Sequence, residues 1–184
     1  IIDAGCNDGS LLLQFRKIRL NNLVGIDPTD TIKIAKKKKI NTFQNYLNQN
    51  ISRKIVKKHG KAKIIVTTNV FAHTNNLFEF ISAVKNMIKE DGIFIIENHY
   101  LLDVVQKLQF DTFYHEHLRT YSLKSLIELL KYYDFQIVDA YRSERYGGNI
   151  QAHFSLKKYK PSKNVISILE IEKKYKLDKF ITYK

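Results

Sequence analysis

Short apolar runs alternate along the chain with segments whose apolar positions recur every three to four residues. IIDA, LVGID, INTF, KIIVTTNV and GIFIIEN read as strands, and KIIV has the unbroken apolar start that suits burial on both faces of a sheet. SLLLQFRKIRL, TDTIKIAKKKK and LNQNISRKIVKKH read as helices between them. LFEFISAVKNMIKE sets Leu77, Phe80, Ile81, Val84 and Ile88 on one face, and the following Asp91 and Gly92 close it. This βαβαβαβαβ order predicts a parallel sheet with helices on both faces. Beyond it, YLLDVVQKLQ and SLKSLIELLKYY read as helices, and FQIVDAYRS and NIQAHFSLKK alternate like a hairpin about YGGN. The fold expected is therefore α/β, a mostly parallel seven-stranded sheet ending antiparallel. The pattern divides the chain into a core over 1–157 and a charged connecting helix within 158–184.

Composition narrows the function classes. With 184 residues and a 44% hydrophobic fraction, one real core is affordable. No apolar run approaches the roughly 20 residues of a membrane span, so no membrane partner is expected. A single cysteine allows neither an internal disulfide nor a cysteine-based zinc site, and a cytoplasmic location fits best. The chain opens on Ile1 inside a strand, without an initiator methionine, which reads as a fragment lacking its N-terminal part. The net charge of +13 invites a nucleic-acid reading, but the excess is mostly lysine. Base readers favour the forked arginine head, and four consecutive lysines, Lys36 to Lys39, point around a helix instead of along one face. A solvated basic surface is the simpler account, with an RNA-binding or RNA-modifying module as the alternative.

The first candidate chemistry lies at the first strand–helix turn, DAGCNDG, which is Asp3-x-Gly5-x-x-x-Gly9 with Cys6 and Asn7 between the glycines. In an open α/β sheet that crevice holds ligands. Asp27 and Pro28 end the second strand, where a carboxylate can accept both hydroxyls of a ribose. A dinucleotide site prefers G-x-G-x-x-G, and Asp8 beside a pyrophosphate would be unfavourable. A cationic sulfonium meets no such penalty, so the turn favours S-adenosylmethionine (SAM) over NAD. TTNVFAH closes the fourth strand, placing Asn69 near the methionyl end and His73 toward a substrate.

The second candidate is FDTFYHEHLRTYS. His115 and His117 share a face only in an extended segment, and no partner motif completes a metal set, so no metal is assigned. Proton transfer suits the residue types better. Methylating carbon requires removal of a C–H proton beside a carbonyl, by a base whose pKa lies near working pH; histidine starts at about 6.5. A carboxylate can orient that base, and a tyrosine can hold the enolate oxygen. Methylating oxygen or nitrogen needs less apparatus.

DAGCNDGSLL, GIDP, TTNVFAH, IIENHYLLD, FDTFYHEHLRTYS and YGGNIQ, in this order, resemble the SAM-dependent sugar C-methyltransferases of the NDP-hexose 3-C-methyltransferase type. The resemblance implies a class I Rossmann-like methyltransferase and a nucleotide-linked 4-keto sugar as substrate. It implies His117 as the base at C3, with Tyr114, Glu116 and His73 as catalytic partners. Gly147 and Gly148 would shape the floor of the sugar site, and His115, Tyr100 and Asn149 would contact substrate. The family's N-terminal zinc-binding domain has no counterpart in these residues, so zinc is expected only in such a domain. Only a connecting helix would remain of its C-terminal domain. Arg119 and Thr120 depart from the smaller or aromatic residues expected in the loop.

Overall fold

The computed structural model describes residues 1–183 of the chain. Strands β1 (Ile2–Ala4), β2 (Val24–Asp27), β3 (Asn41–Gln44), β4 (Ala62–Thr68) and β5 (Ile88–His99) pair in parallel. Strands β6 (Gln136–Ser143) and β7 (Asn149–Ser155) form the hairpin, and β7 inserts antiparallel beside β5. The seven-stranded order is β3-β2-β1-β4-β5-β7-β6. Strand order reverses between β1 and β4, and the crevice at their C-terminal ends is the place such a sheet offers a ligand.

Helices α1 (Ser10–Lys17), α2 (Ile32–Lys37), α3 (Gln49–His59), α4 (Leu77–Met87), α5 (Leu101–Gln106), α6 (Leu123–Lys131) and α7 (Lys163–Lys174) surround the sheet. The main core joins Ile65, Phe94 and Ile96 of the central strands to Ile81, Val84 and Met87 of α4 and to Leu126 and Leu130 of α6. A second cluster packs Leu12 of α1 against Ile32 and Ala35 of α2, with Leu23 and Ile40. Each apolar residue fully buried in these clusters contributes about 1.5–3 kcal/mol relative to exposure.

Two boundaries differ from the sequence expectation. α4 stops at Met87, because Ile88 already pairs with Ala62 at the start of β5. Gly92, expected to end the helix, sits within β5, where an added Cβ would lie 3.0 Å from the carbonyl oxygen of Ala62. α7, expected to lead away from the core, docks on it through buried Val165, Ile168 and Glu172. No helix among the described residues is long and apolar enough to cross a membrane.

Candidate active site

Two cavities of ≈ 480 Å³ and ≈ 920 Å³ open at the strand ends, and Gly5, Asp27, Asn69 and Val70 line both. The turn after β1 is built to keep that crevice clear. Gly5 has φ 95, and an added Cβ would stand 2.1 Å from Val70 Cγ2. Asn7 takes a left-handed φ of 49, and its N–H thereby donates to Asp27 Oδ2 at 3.0 Å. Asp27 Oδ1 accepts from the backbone N–H and the hydroxyl of Thr29 at 2.9 and 2.5 Å. Three of roughly four acceptor positions of the carboxylate are thus filled, leaving room on Oδ2 for one ribose hydroxyl, not two. Pro28, with Asn45 to Leu47 beyond β3, continues the ≈ 480 Å³ cavity.

Asp3 is 3% exposed and lines the ≈ 920 Å³ cavity. Burial pushes its carboxyl up to about 7, and the charge of Asp27 adds to the push. A cationic ligand group in that cavity would relieve both effects. The sulfonium and amino groups of SAM are such cations, so the residues present fit this cofactor.

Other residues of the turn have different duties. Gly9 lines neither cavity; an added Cβ would meet Ile40 Cδ1 at 2.6 Å and Ala35 Cβ at 2.9 Å, so packing against α2 by itself requires glycine there. The Cys6 thiol is buried against Gly25, and burial raises it to about 12, so it stays protonated while Cys6 still lines the ≈ 920 Å³ cavity beside Asn7. Asp8 bonds the Lys38 ammonium at 2.9 Å, and that bond above all lowers it to about 2. Its charge is largely matched, which weakens it as the reason to exclude a dinucleotide.

The YHEH segment is a tight turn. The N–H of His117 donates to Tyr114 O at 2.9 Å, which brings the first and fourth residues together and turns the central pair outward. His117 Nδ1 lies 2.8 Å from the carbonyl oxygen of Thr112. A carbonyl only accepts, so Nδ1 carries the hydrogen and the neutral ring's lone pair is on Nε2. Tyr114 Oη lies 3.1 Å from that Nε2 and donates to it. The His117 ring packs against Tyr114, His73 and His99 at centroid distances of 4.3, 4.7 and 5.2 Å.

The expected role of Glu116 is corrected by the same turn. As central residues, His115 and Glu116 have side chains 89% and 62% exposed and lie 4.0 Å apart, facing solvent. The group that orients His117 is the Thr112 carbonyl, which no side-chain pattern announces.

Tyr100 is also corrected. It is fully buried, with its hydroxyl donating to Glu172 Oε1 at 3.0 Å and the Arg142 guanidinium 5.2 Å over its ring. Gly147 and Gly148 line neither cavity but let the loop lie on α5 and the segment after it: added Cβ atoms would meet Gln109 Nε2 at 2.3 Å and Asp103 Cβ at 2.4 Å. Their effect on the site is indirect, since the preceding Arg145 and Tyr146 line the ≈ 920 Å³ cavity. Gly148→Ala, at φ 139, is expected to cost about 3 kcal/mol or more in a urea unfolding experiment.

Sequence reasoning missed Glu97, which lines the ≈ 920 Å³ cavity and is 6% exposed. Its carboxylate accepts from Asn149 Nδ2 at 3.2 Å and Gln151 Nε2 at 2.8 Å, so Asn149 supports Glu97 and is itself fully buried. An acid at the end of the apolar run IFII was the available signal. His99 packs edge-on against His117, and among the described residues no three His, Cys, Asp or Glu side chains converge to hold a metal.

Comparison with known proteins places this geometry. A family model described as a methyltransferase domain matches residues 1–140. The C-methyltransferase NovU of Streptomyces niveus is 29% identical over 151 residues, 82% of this chain and 36% of NovU. The chain thus spans about a third of the length of that curated relative. An S-adenosylmethionine-dependent methyltransferase from Clostridium acetobutylicum superposes with a TM-score of 0.63 at 18% identity, covering 85% of this chain and 83% of the other. The plantazolicin methyltransferase BpumL, solved with a triazolic desmethylPZN analog and SAH, gives 0.61 at 16% identity, covering 83% and 74%. Such identities speak for the fold, and the family match speaks for more: with its glycine turn, cavity-lining Asp27 and antiparallel final hairpin, the chain belongs to the methyltransferase domain family, on the class I Rossmann-like fold of SAM-dependent methyltransferases.

Proposed function

We propose that this chain is the catalytic core of a SAM-dependent C-methyltransferase acting on a nucleotide-linked keto sugar through a base-generated enolate. The observation that carries the reading is the pairing of His117 Nδ1 with Thr112 O and of Nε2 with Tyr114 Oη. It leaves one basic nitrogen of fixed direction with a hydroxyl beside it. Similarity to a C-methyltransferase supports the same reaction type.

In this reading Asp3, Gly5, Asp27 and Asn69 hold SAM across the crevice, where it supplies an electrophilic methyl group. His117 Nε2 takes the proton from the carbon beside the sugar carbonyl, and the C–H electron pair moves to form the enolate. Nε2 has one lone pair, so Tyr114 must give up its bond to that nitrogen before the proton arrives, and its freed hydroxyl then donates to an oxygen of the acceptor. His73, lining the ≈ 480 Å³ cavity and packed on His117, faces the same space. The acceptor carbon needs this base; a hydroxyl or amine acceptor would not.

The cofactor half is tested by calorimetry. SAM is expected to bind in the usual enzyme range of about 1 μM to 1 mM, and Asp27→Ala is expected to weaken it at least tenfold, roughly 1.4 kcal/mol. Absence of binding by the folded protein would sink this assignment.

The pH dependence has a definite sign. Because the folded pKa of Asp3 is raised from 3.8 to about 7, its stability contribution is present below about 4 and is lost as pH rises through about 7. A cation favours the ionised form, so SAM affinity should rise roughly tenfold between pH 6 and 7.5, with proton release on binding. In Asp3→Asn that rise should vanish, and an unchanged slope would show that Asp3 does not face the cofactor.

A further inference from the structure

Beneath the histidine loop is a small polar cavity of ≈ 10 Å³, lined by His73, Asn98, His99, Thr112 and His117 among others. That is at the lower edge of the about 10–15 Å³ of free space needed to hold one water, so at most a single oxygen fits. Asn98 is 1% exposed, and both its amide nitrogen and its amide oxygen lack a hydrogen-bond partner. His99 Nδ1 is likewise buried without a partner. Unsatisfied buried polar groups cost about 1–3 kcal/mol each, so an unpaired amide and an unpaired ring nitrogen around one cavity call for a polar occupant, which Asn98 Nδ2 can hold as a donor whether that occupant is water or a carbonyl oxygen.

We infer that Asn98 and His99 form a one-oxygen subsite beside His117, filled by water in the free protein and by the acceptor's carbonyl oxygen in the complex. Three observations carry this together: the orphaned amide, the orphaned ring nitrogen, and the 5.2 Å edge-to-face contact of His99 with His117. The chemistry is that of a neutral site. Burial, then the nearby His117 and His73, holds His99 below the ordinary imidazole value, so it brings no second cation beside a base that must accept a proton. Asn98 Nδ2 is a fixed donor whose strength rises as negative charge develops on the oxygen it holds, which is the requirement for an enolate. Proton balance is simple: the carbon's proton goes to His117 Nε2, and the charge left on the oxygen is met by N–H donors without a further proton.

This inference rests on the reading of His117 as the base, and its test keeps the two separable. The full-length protein would be crystallised without acceptor at a resolution that shows ordered water. An oxygen within about 2.7–3.2 Å of Asn98 is the expected result. Asn98→Leu and the shape-conserving Asn98→Asp, which loses the donor, would be assayed with SAM and a nucleoside-diphosphate 4-keto-deoxyhexose beside His117→Asn. Both Asn98 variants are expected to lose about 10²-fold in kcat with KM nearly unchanged. The Asp variant keeps the comparison alive if the Leu variant fails to fold. An empty cavity in the free protein, or wild-type kcat in either folded variant, overturns the subsite. If those variants turn over normally while His117→Asn is inactive, the subsite falls and the base stands. If His117→Asn itself stays active, the base reading falls, and the density at Asn98 decides the subsite alone.

Discussion

His117→Asn is expected to lower kcat by about 10²- to 10⁴-fold while leaving SAM affinity unchanged. The asparagine can still donate to the Thr112 carbonyl, which His117 Nδ1 now holds at 2.8 Å, so the turn should survive. What disappears is Nε2, the nitrogen on which the lone pair is fixed and to which Tyr114 donates. SAM binding should be spared because His117 lines neither of the two larger cavities where Asp3 and Asp27 lie. Steady-state kinetics on the full-length protein and calorimetry with SAM read the two quantities separately. Loss of both together would indicate a collapsed loop. Tyr114→Phe, which keeps the ring packed on His117 at 4.3 Å but removes the hydroxyl, should have the smaller effect.

The second large effect is on stability. Glu172→Ala is expected to destabilise the fold by about 3 kcal/mol or more, because it leaves three donors without their acceptor at about 1–3 kcal/mol each. Glu172 is 4% exposed, and its carboxylate accepts from the N–H groups of Leu123 and Lys124 at 2.6 and 3.0 Å and from the Tyr100 hydroxyl at 3.0 Å. The first turn of α6 is thus capped partly by an acid from α7, while Ser122 and Ser125 bond one another in a capping box. An anion at a helix N-terminus is also favoured by the helix dipole. Without the carboxylate, two backbone N–H groups and a buried hydroxyl lose their partner, and α7 loses its polar tie to the core. Urea unfolding measures this directly, and Glu172→Gln, which keeps one acceptor oxygen, should fall between. A loss below about 1 kcal/mol would mean that water replaces the carboxylate and that α7 is held by its apolar contacts and by the bonds of Ser162 and Asn164 to Asp139.

The parallel core was legible because its strands are near-continuous apolar runs and its helices carry one apolar face; Ile65, Phe94 and Ile81 are buried as that pattern requires. The hairpin was legible from alternation about YGGN. The partners of the acids were not. Glu172 meets Leu123 across 49 residues and Tyr100 across 72, and no local pattern encodes a cap that arrives from another helix. Gly9 shows a second cause that the spacing hides. Its spacing from Gly5 suggested a ligand contact, whereas the need for glycine comes from Ala35 and Ile40 on a neighbouring element. In the site, the residue types suggest proton-transfer chemistry, but their directions depend on one turn. That turn pairs Tyr114 with His117 and sends Glu116 outward, and a backbone carbonyl at Thr112 does the work assigned to the carboxylate. Asn98 was invisible because an asparagine ending a strand is ordinarily a turn residue; only the enclosed cavity makes its unpaired amide informative.

The most direct test of the central claim is solvent deuterium exchange into a nucleoside-diphosphate 4-keto-deoxyhexose, followed by NMR without SAM. The account predicts deuterium at a carbon beside the carbonyl with the wild-type full-length protein, and its loss in His117→Asn. No exchange above the uncatalysed background, or exchange that persists undiminished in His117→Asn, would contradict a base-generated enolate at this histidine.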